Sequence, residues 1–281
     1  GAVGESTVII GGGSKISGDV YGGGAYAVVS NKLVVDRTSV DNNIRPTIAD
    51  SDNISKAVIV ILNAEISGNV FGGGYGPRAV IAGSTHVFIG ISSDSDYPST
   101  LIGSMANGAY HANITGSVYG GGNMGSVGFI EHLEGTDNEA SFPLGYGPIS
   151  SVSSNVILSL NDNKNAGTGE NNRITVGGDV YGGGKGGDLY IPLLPSGASS
   201  LDAPPTTIKP EGWIEGISGR TLYGYAIVHG SSNVSITGVY SPGKGSLYID
   251  ISGNIFGGGE GIEASKGQNS LDVIVYAAVT G

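Results

Sequence analysis

The sequence predicts an all-β protein, built as a single-stranded right-handed parallel β-helix with inserted loops. A glycine-rich motif occurs five times, short segments of alternating apolar residues lie between its copies, and no segment sustains the apolar spacing of a helix. A site is normally made once whereas a scaffold is made many times, so the repetition indicates a unit that stacks on its own copies. We predict a right-handed β-helix because most crossover connections between parallel strands are right-handed.

The repeated motif reads apolar-x-Gly-x-[VI]-[YF]-Gly-Gly-Gly. Its copies are ISGDVYGGG, ISGNVFGGG, ITGSVYGGG, VGGDVYGGG and ISGNIFGGG, which begin at Ile16, Ile66, Ile114, Val176 and Ile251. Strand alternation predicts that the Val or Ile of each copy points inward and that the polar residue before it points outward. Glycine permits a positive φ at a sharp turn and, because it lacks a Cβ, allows adjacent coils to approach closely.

A second motif, a polar pair followed by alternating apolar residues, predicts the other strands. Its copies are STVII at Ser6, NKLVV at Asn31, SKAVIVI at Ser55, STHVFIGI at Ser84, SSNVILSL at Ser153, SSNVSI at Ser231 and NSLDVIV at Asn269. The first four copies begin 25, 24 and 29 residues apart. This spacing predicts one coil per ~25 residues and about eleven coils, or fewer once loops are subtracted.

The aromatic residue of each glycine-rich motif is expected to form a structural ladder, which consists of Tyr21, Phe71, Tyr119, Tyr181 and Phe256. Stacking contributes about 0.5 to 1.5 kcal/mol per pair of rings that lie within ~7 Å. The first two intervals between motifs, 50 and 48 residues, correspond to two coils each. Rings in alternate coils would lie ~9.6 Å apart and would not touch.

One domain is expected over residues 1–281, with an irregular insertion at 185–230. The insertion contains five of the eleven prolines and the only tryptophan, and loops on a rigid scaffold commonly carry recognition. Its aromatic residues could stack on sugar rings, which predicts a glycan-binding surface; alternatively, the same rings pin the insertion to the β-helix or cap it. These candidate ligand-binding residues are Tyr190, Trp213, Tyr223 and Tyr225.

The charge balance restricts the partners. The chain has 24 acidic and 13 basic residues, a net charge of −11 and no cysteine. Nucleic acid is therefore not an expected partner, because it requires Lys or Arg to neutralise phosphate. The longest apolar run, Ala57 to Leu62, is too short to span a membrane, so no membrane insertion is expected. The polar, weakly charged composition favours an extracellular protein, and an opening without Met or a signal segment predicts a mature or trimmed chain. We expect it to be part of a longer surface protein.

Two acidic segments contain candidate calcium ligands. Apart from calcium, no cofactor is expected. Oxygen ligands at alternate positions are typical of calcium loops, and solvated turns are the alternative interpretation. The residues are Asp50, Asp52, Asp94 and Asp96. No metal spacing links the histidines, which are His86, His111, His132 and His229.

His86 alternates with Val87 in a predicted strand and is expected to face solvent.

Catalysis is not expected, although it remains an alternative. Glycoside hydrolysis requires two carboxylates about 5 to 9.5 Å apart. Asp19, Asp179 and Asp188 are available, and the pair His229 and Gly230 is similar to a polygalacturonase dipeptide without its companion motifs.

The pattern G-[DN]-V-[YF]-G-G-G, interleaved with S-x-x-V-x-I, resembles glycine-rich repeat proteins of bacterial cell surfaces, which are adhesin-like. The resemblance covers most of residues 1–281, apart from 185–230. It implies a right-handed parallel β-helix, export to the cell surface, and attachment or display. We therefore expect a non-catalytic extracellular stalk or binding module that recognises glycans or host surface proteins. The alternatives are a polysaccharide-active β-helix enzyme, a lyase or a glycoside hydrolase, and a self-associating structural rod.

Overall fold

The computed structural model describes residues 2–29, 33–35, 46–48, 55–76, 79–91, 97–98, 111–128, 130–132, 146–148, 152–160, 173–186, 226, 228, 230–238 and 248–260. These residues are all-β, with no helix among them, and most of their strands lie in four parallel sheets. The predicted all-β class is therefore confirmed. The parallel pairing is compatible with a β-solenoid.

We call the four parallel sheets A to D. Sheet A contains β1 (Ala2–Val3), β5 (Val28–Val29), β11 (Val80–Ile81) and β15 (Ser126–Val127). Sheet B contains β2 (Ser6–Ile10), β8 (Lys56–Ile61), β12 (Ser84–Ile91), β18 (Val152–Leu160) and β21 (Gly230–Gly238). Sheet C contains β3 (Ser14–Ile16), β9 (Ala64–Ile66), β13 (His111–Ile114), β19 (Arg173–Val176) and β22 (Tyr248–Ile251). Sheet D contains β4 (Val20–Tyr21), β10 (Val70–Phe71), β14 (Val118–Tyr119), β20 (Val180–Tyr181) and β23 (Ile255–Phe256).

The chain passes through sheets B, C, D and A in the same order each time. We call one such passage a rung. Rung 1 begins with β2, rung 2 with β8, rung 3 with β12, rung 4 with β18 and rung 5 with β21. Strand β1 lies beside β5, on the side of sheet A away from rung 2. Val228 pairs with Val127 and so supplies the sheet A position of rung 4.

The prediction that the glycine-rich motif occupies every second coil is wrong. All five copies lie in directly paired neighbouring strands of sheet D, one copy per rung. The predicted strand after Asn31 is instead part of an antiparallel hairpin, formed by β6 (Leu33–Val35) and β7 (Pro46–Ile48). In chain order this hairpin follows rung 1 and precedes rung 2. A second hairpin, β16 (Ile130–His132) and β17 (Tyr146–Pro148), lies between rungs 3 and 4. An interval of fifty residues is thus one rung plus an insertion.

The inward side chains of the rungs form one continuous apolar core. Alternate residues of sheets B, C and D contribute Val, Ile and Leu to it, as strand geometry requires. The inward position predicted for the motif valine is confirmed in rungs 1 to 4, where Val20, Val70, Val118 and Val180 are buried. In rung 5 the equivalent Ile255 is 53% exposed. The two end rungs therefore differ, because Val20 of rung 1 is buried although β4 is also an end strand of sheet D.

The outer face of sheet B is also covered over part of its length. Val58, Val60 and Phe88 are buried there, and the ring of Tyr97 packs edge-on against Phe88 at 5.2 Å. The expectation that His86 faces solvent is wrong, because this side chain is 7% exposed and its ring stacks on Phe88 at 5.8 Å. Strand alternation did place His86 outside the core, but a second apolar layer covers that outer face.

Candidate functional site

The most regular set of contacts follows sheet D and the glycine triplets. The five aromatic residues stack on one another in neighbouring rungs, with interplanar angles of 7°, 10°, 1° and 12°. Successive ring centroids are 5.0, 4.7, 4.9 and 4.8 Å apart. The spacing of ~9.6 Å expected for alternate coils is therefore wrong. We call this ladder the aromatic column; it consists of Tyr21, Phe71, Tyr119, Tyr181 and Phe256.

The stacking uses both faces of every interior ring. Phe71 and Tyr119 are 0% and 1% exposed, so neither ring face is available to a sugar. Four stacked pairs contribute about 2 to 6 kcal/mol in total beyond the area that they bury. The two end rings, Phe256 at 42% exposure and the partly buried Tyr21, each have one stacked neighbour in the column. The aromatic column therefore stabilises the stack and offers a stacking surface only at its two ends.

The glycine triplets allow the backbones of neighbouring rungs to approach closely. A Cβ on Gly73 would lie 2.6 Å from the Gly122 nitrogen, and one on Gly121 would lie 2.7 Å from the Gly184 nitrogen. Real Cβ atoms essentially never come within 3.0 Å of another heavy atom. None of the triplet glycines has a positive φ, so the expectation of left-handed turns at the triplets is wrong. The missing Cβ is the reason for glycine at these positions.

A ladder of small polar side chains runs beside the aromatic column. Each side chain accepts a hydrogen bond from the backbone N–H of the equivalent residue in the next rung. Asp19 Oδ1 accepts from Asn69 at 2.7 Å, Asn69 Oδ1 from Ser117 at 2.9 Å, Ser117 Oγ from Asp179 at 3.0 Å and Asp179 Oδ1 from Asn254 at 2.6 Å. Sequence reasoning placed these residues outside but missed the ladder. The sequence did contain a sign of this ladder: the residue before the motif Val or Ile is always Asp, Asn or Ser, whose short side chains can accept a hydrogen bond.

The tyrosine hydroxyls of the column connect to the polar ladder. Tyr21 donates to Asp19 at 3.1 Å, and Tyr181 donates to Asp179 at 3.0 Å. Burial, reinforced by the neighbouring carboxylate, raises the pKa of both Tyr21 and Tyr181 to about 12. The N–H of Asn254 lowers the pKa of Asp179 by stabilising its carboxylate. Both effects keep the tyrosines neutral and the aspartate charged at neutral pH.

Tyr119 belongs to a charged cluster at the corner between sheets D and A. Its hydroxyl donates to Glu260, which forms an ion pair with Lys185 at 3.2 Å. The Lys185 ammonium also lies 5.7 Å from the centroid of the Tyr119 ring, within range of a cation–π interaction. Burial, followed by the hydrogen bond to Glu260, raises the pKa of Tyr119. The cluster joins rungs 3, 4 and 5 on one corner of the stack.

A column of hydroxyl groups joins sheet B to the glycine triplets. The hydroxyl of Thr85 donates to the Gly120 carbonyl at 2.6 Å. In rung 2 the equivalent residue is Ala57, which has no hydroxyl. The sequence analysis did not predict that these hydroxyls bind the glycine carbonyls, although a Ser or Thr occurs at the start of most copies of the strand motif. The other donors are Ser6 to Gly22, Ser154 to Gly182 and Ser232 to Gly257.

All of the ligand-binding and calcium-binding residues predicted from the sequence lie outside the described residues. This holds for the aromatic residues of the insertion, Tyr190, Trp213, Tyr223 and Tyr225, and for the calcium candidates, Asp50, Asp52, Asp94 and Asp96. Within the described part of the chain, no group of three or more His, Asp or Glu side chains could hold a metal ion. The same part of the chain contains no helix that is long and apolar enough to cross a membrane.

The two catalytic candidates that the structure describes are not brought together. Asp19 and Asp179 occupy the same column in rungs 1 and 4, three rungs and roughly 14 Å apart. This separation exceeds the 5 to 9.5 Å of a glycosidase pair. The lowered pKa of Asp179 is the opposite of what a general acid requires. Asp188 and His229 lie outside the described residues.

Comparison with known proteins gave no match: no family model, no curated protein and no solved structure is similar enough to this chain to count as a relative.

We predict that Gly121→Ala destabilises the protein by about 1 to 3 kcal/mol, because the added Cβ would overlap the Gly184 backbone. Gly258→Ala is the matched control. It changes the same motif position in rung 5, where an added Cβ meets nothing within 4 Å. Urea denaturation followed by circular dichroism would measure both midpoints. Equal midpoints for the two variants would show that close backbone approach does not control stability.

We predict that Thr85→Val lowers the free energy of unfolding by about 1 to 3 kcal/mol, because the buried Gly120 carbonyl loses its hydroxyl donor while the side-chain shape is kept. Ala57→Ser is the converse variant: it offers a hydroxyl at the equivalent position of rung 2 and should leave stability unchanged or raise it. Urea unfolding of both variants provides the measurement. A Thr85→Val protein as stable as the parent would contradict the role of the hydroxyl column.

We predict that Asp179 makes the fold sensitive to acid. Its folded pKa is lowered, so its carboxylate stabilises the protein above the unfolded pKa of about 3.9, and this stabilisation is lost as pH falls through the folded pKa. Asp179→Asn keeps an acceptor oxygen but does not titrate. Its unfolding midpoint, measured from neutral pH down to acid, should therefore fall less steeply than that of the parent. Parallel curves would refute the prediction.

Proposed function

We propose that this chain is a non-catalytic stalk and binding module of a bacterial cell-surface protein, built as a single-stranded right-handed parallel β-helix. In this proposal it is extracellular, is part of a longer surface protein, needs no cofactor for its function, and recognises glycans or host surface proteins through its inserted loops. The glycine-rich repeat, the net charge of −11 and the absence of cysteine support an exported, adhesin-like protein.

The observation that carries the proposal is the repetition of the same contacts at every step between rungs 1 and 5. Each step in sheets B, C and D is joined by parallel strand pairing, one stacked ring pair and one side-chain to backbone hydrogen bond. Repeats that contact only their neighbours form an extended, quasi-one-dimensional body. Such a body suits a rod that holds a recognition element away from its point of attachment.

Three long connections between sheets B and C begin after paired residues, Ile91, Leu160 and Gly238, which favours display. Connections 92–110, 161–172 and 239–247 follow the sheet B strands of rungs 3, 4 and 5, whereas rungs 1 and 2 pass directly from sheet B to sheet C. Successive insertions therefore begin at neighbouring positions on one corner. Loops held by a rigid scaffold are the usual carriers of recognition.

The largest insertion is anchored firmly at both ends, which supports it as the element displayed. Sequence analysis placed it at 185–230. At its start, Lys185 pairs with Glu260, and the Gly186 N–H donates to the Glu260 carbonyl at 2.8 Å. At its end, the Ala226 N–H donates to the Met124 carbonyl at 3.1 Å, and Val228 is fully buried. Residues 187–225 can therefore be exchanged without touching these contacts.

A binding experiment with two exchange variants tests the proposal. In one variant a short Gly-Ser turn joins Gly186 to Ala226 and replaces residues 187–225; in the matched control the same turn replaces 161–172. Circular dichroism would establish that both retain their β-structure. On a glycan array and a panel of host surface proteins, we expect the intact chain and the control to bind and the first variant to lose binding. An intact chain that binds no glycan and no host protein would refute the binding function.

A further inference from the structure

The described residues expose large apolar side chains only at the two ends of the stack. At the rung 1 end these are Val3, Ile9 and Tyr26, and at the rung 5 end they are Ile236, Ile255 and Phe256, with exposures between 38% and 53%. No large apolar side chain of rungs 2, 3 or 4 is exposed to this degree within the described part. Apolar surface concentrated in this way marks a site of association.

The glycine triplet of rung 5 points to the same conclusion. In rungs 2 to 4, the second glycine of each triplet is required because a Cβ would strike the next rung. Gly258 has nothing within 4 Å of its Cβ position, and its φ is not positive. The same is true of Gly257. Rung 5 therefore presents a surface shaped for the close approach of a further rung, although no described rung lies against it.

The two ends are complementary when one copy is continued by another in the same direction. Phe256 would stack on Tyr21, as each ring of the column already stacks on its neighbour, and Val20 would cover Ile255, which is 53% exposed. In the outward column of sheet C, Asp250 would face Lys15, which in its own chain pairs with Glu65 at 2.8 Å. These three new pairs are ring on ring, apolar on apolar and acid on base, whereas Ser235 would face Ile9 in the outward column of sheet B.

We propose that rung 5 of one copy of this chain binds rung 1 of a second copy, head to tail. The exposed edges of β21, β22 and β23 present backbone groups that can pair with β2, β3 and β4 of the next copy. Such a contact joins two different surfaces and does not close on itself, so it generates linear filaments. Self-association goes beyond the display function proposed above and is independent of it, because a single copy displays the same insertions.

Gly258→Ala tests the contact with the intact chain. By the geometry of rungs 2 to 4, its Cβ would strike the Gly24 backbone of the next copy, whereas no described residue of its own chain lies within 4 Å of it. In sedimentation velocity over a wide concentration range, we expect the parent to form growing oligomers and the variant to lose them while keeping its unfolding midpoint. A parent that stays a single copy at every concentration would overturn the proposal, and a different segment or partner would then cover rung 5. Unchanged association of Gly258→Ala would overturn it equally.

A charge exchange tests the direction of association. Lys15→Glu and Asp250→Lys should each lower the association constant by about 1.5 to 5-fold, the range for an exposed ion pair. The double variant restores attraction between copies, whereas the partners within each chain, Glu65 and Arg173, remain mismatched. Recovery of association in the double variant can therefore come only from contact between copies. Absence of recovery would exclude the head-to-tail register.

Discussion

Glycine backbones of neighbouring rungs approach each other so closely that a Cβ on Gly73 would lie 2.6 Å from the Gly122 nitrogen. This contact requires glycine in every rung that has another above it. It also controls the register of sheet D, because a displacement of one residue would place an aromatic side chain at the first glycine position, where a Cβ on Gly72 would already lie 2.2 Å from the Gly120 carbonyl oxygen. The remaining ladders depend on that register.

When the glycine triplets of neighbouring rungs are aligned, three kinds of side-chain contact recur along the stack. Rings stack on rings, Asp, Asn or Ser accepts a hydrogen bond from the next rung, and a hydroxyl of sheet B binds the first carbonyl of the triplet in four of the five rungs. Each contact is worth on the order of 1 kcal/mol. Because each rung contacts only its neighbours, the total grows with the number of rungs, and the end rungs lack half of their partners.

In the proposed function, stability and recognition depend on different parts of the chain. The interior aromatic rings have no free face, and the polar side chains beside them are engaged with backbone groups of the next rung. A ligand therefore has little to bind on sheet D itself. The corners, where insertions begin and end on anchored residues such as Lys185 and Ala226, and the two end rungs are the remaining places for partners.

The sequence by itself determined the all-β class, the inward position of the motif valines and the residues of the aromatic column. These features can be predicted because apolar alternation and a repeated motif are visible in short stretches of sequence. It could not determine how many residues make one rung. The segment after Asn31 has the same alternation as a strand of the stack, yet it forms a hairpin. Alternation likewise placed His86 outside the core but could not show that Phe88 and Tyr97 build a second apolar layer on that face. Only the tertiary structure decided these points, because strand register and the covering of an outer face depend on residues far apart in the chain.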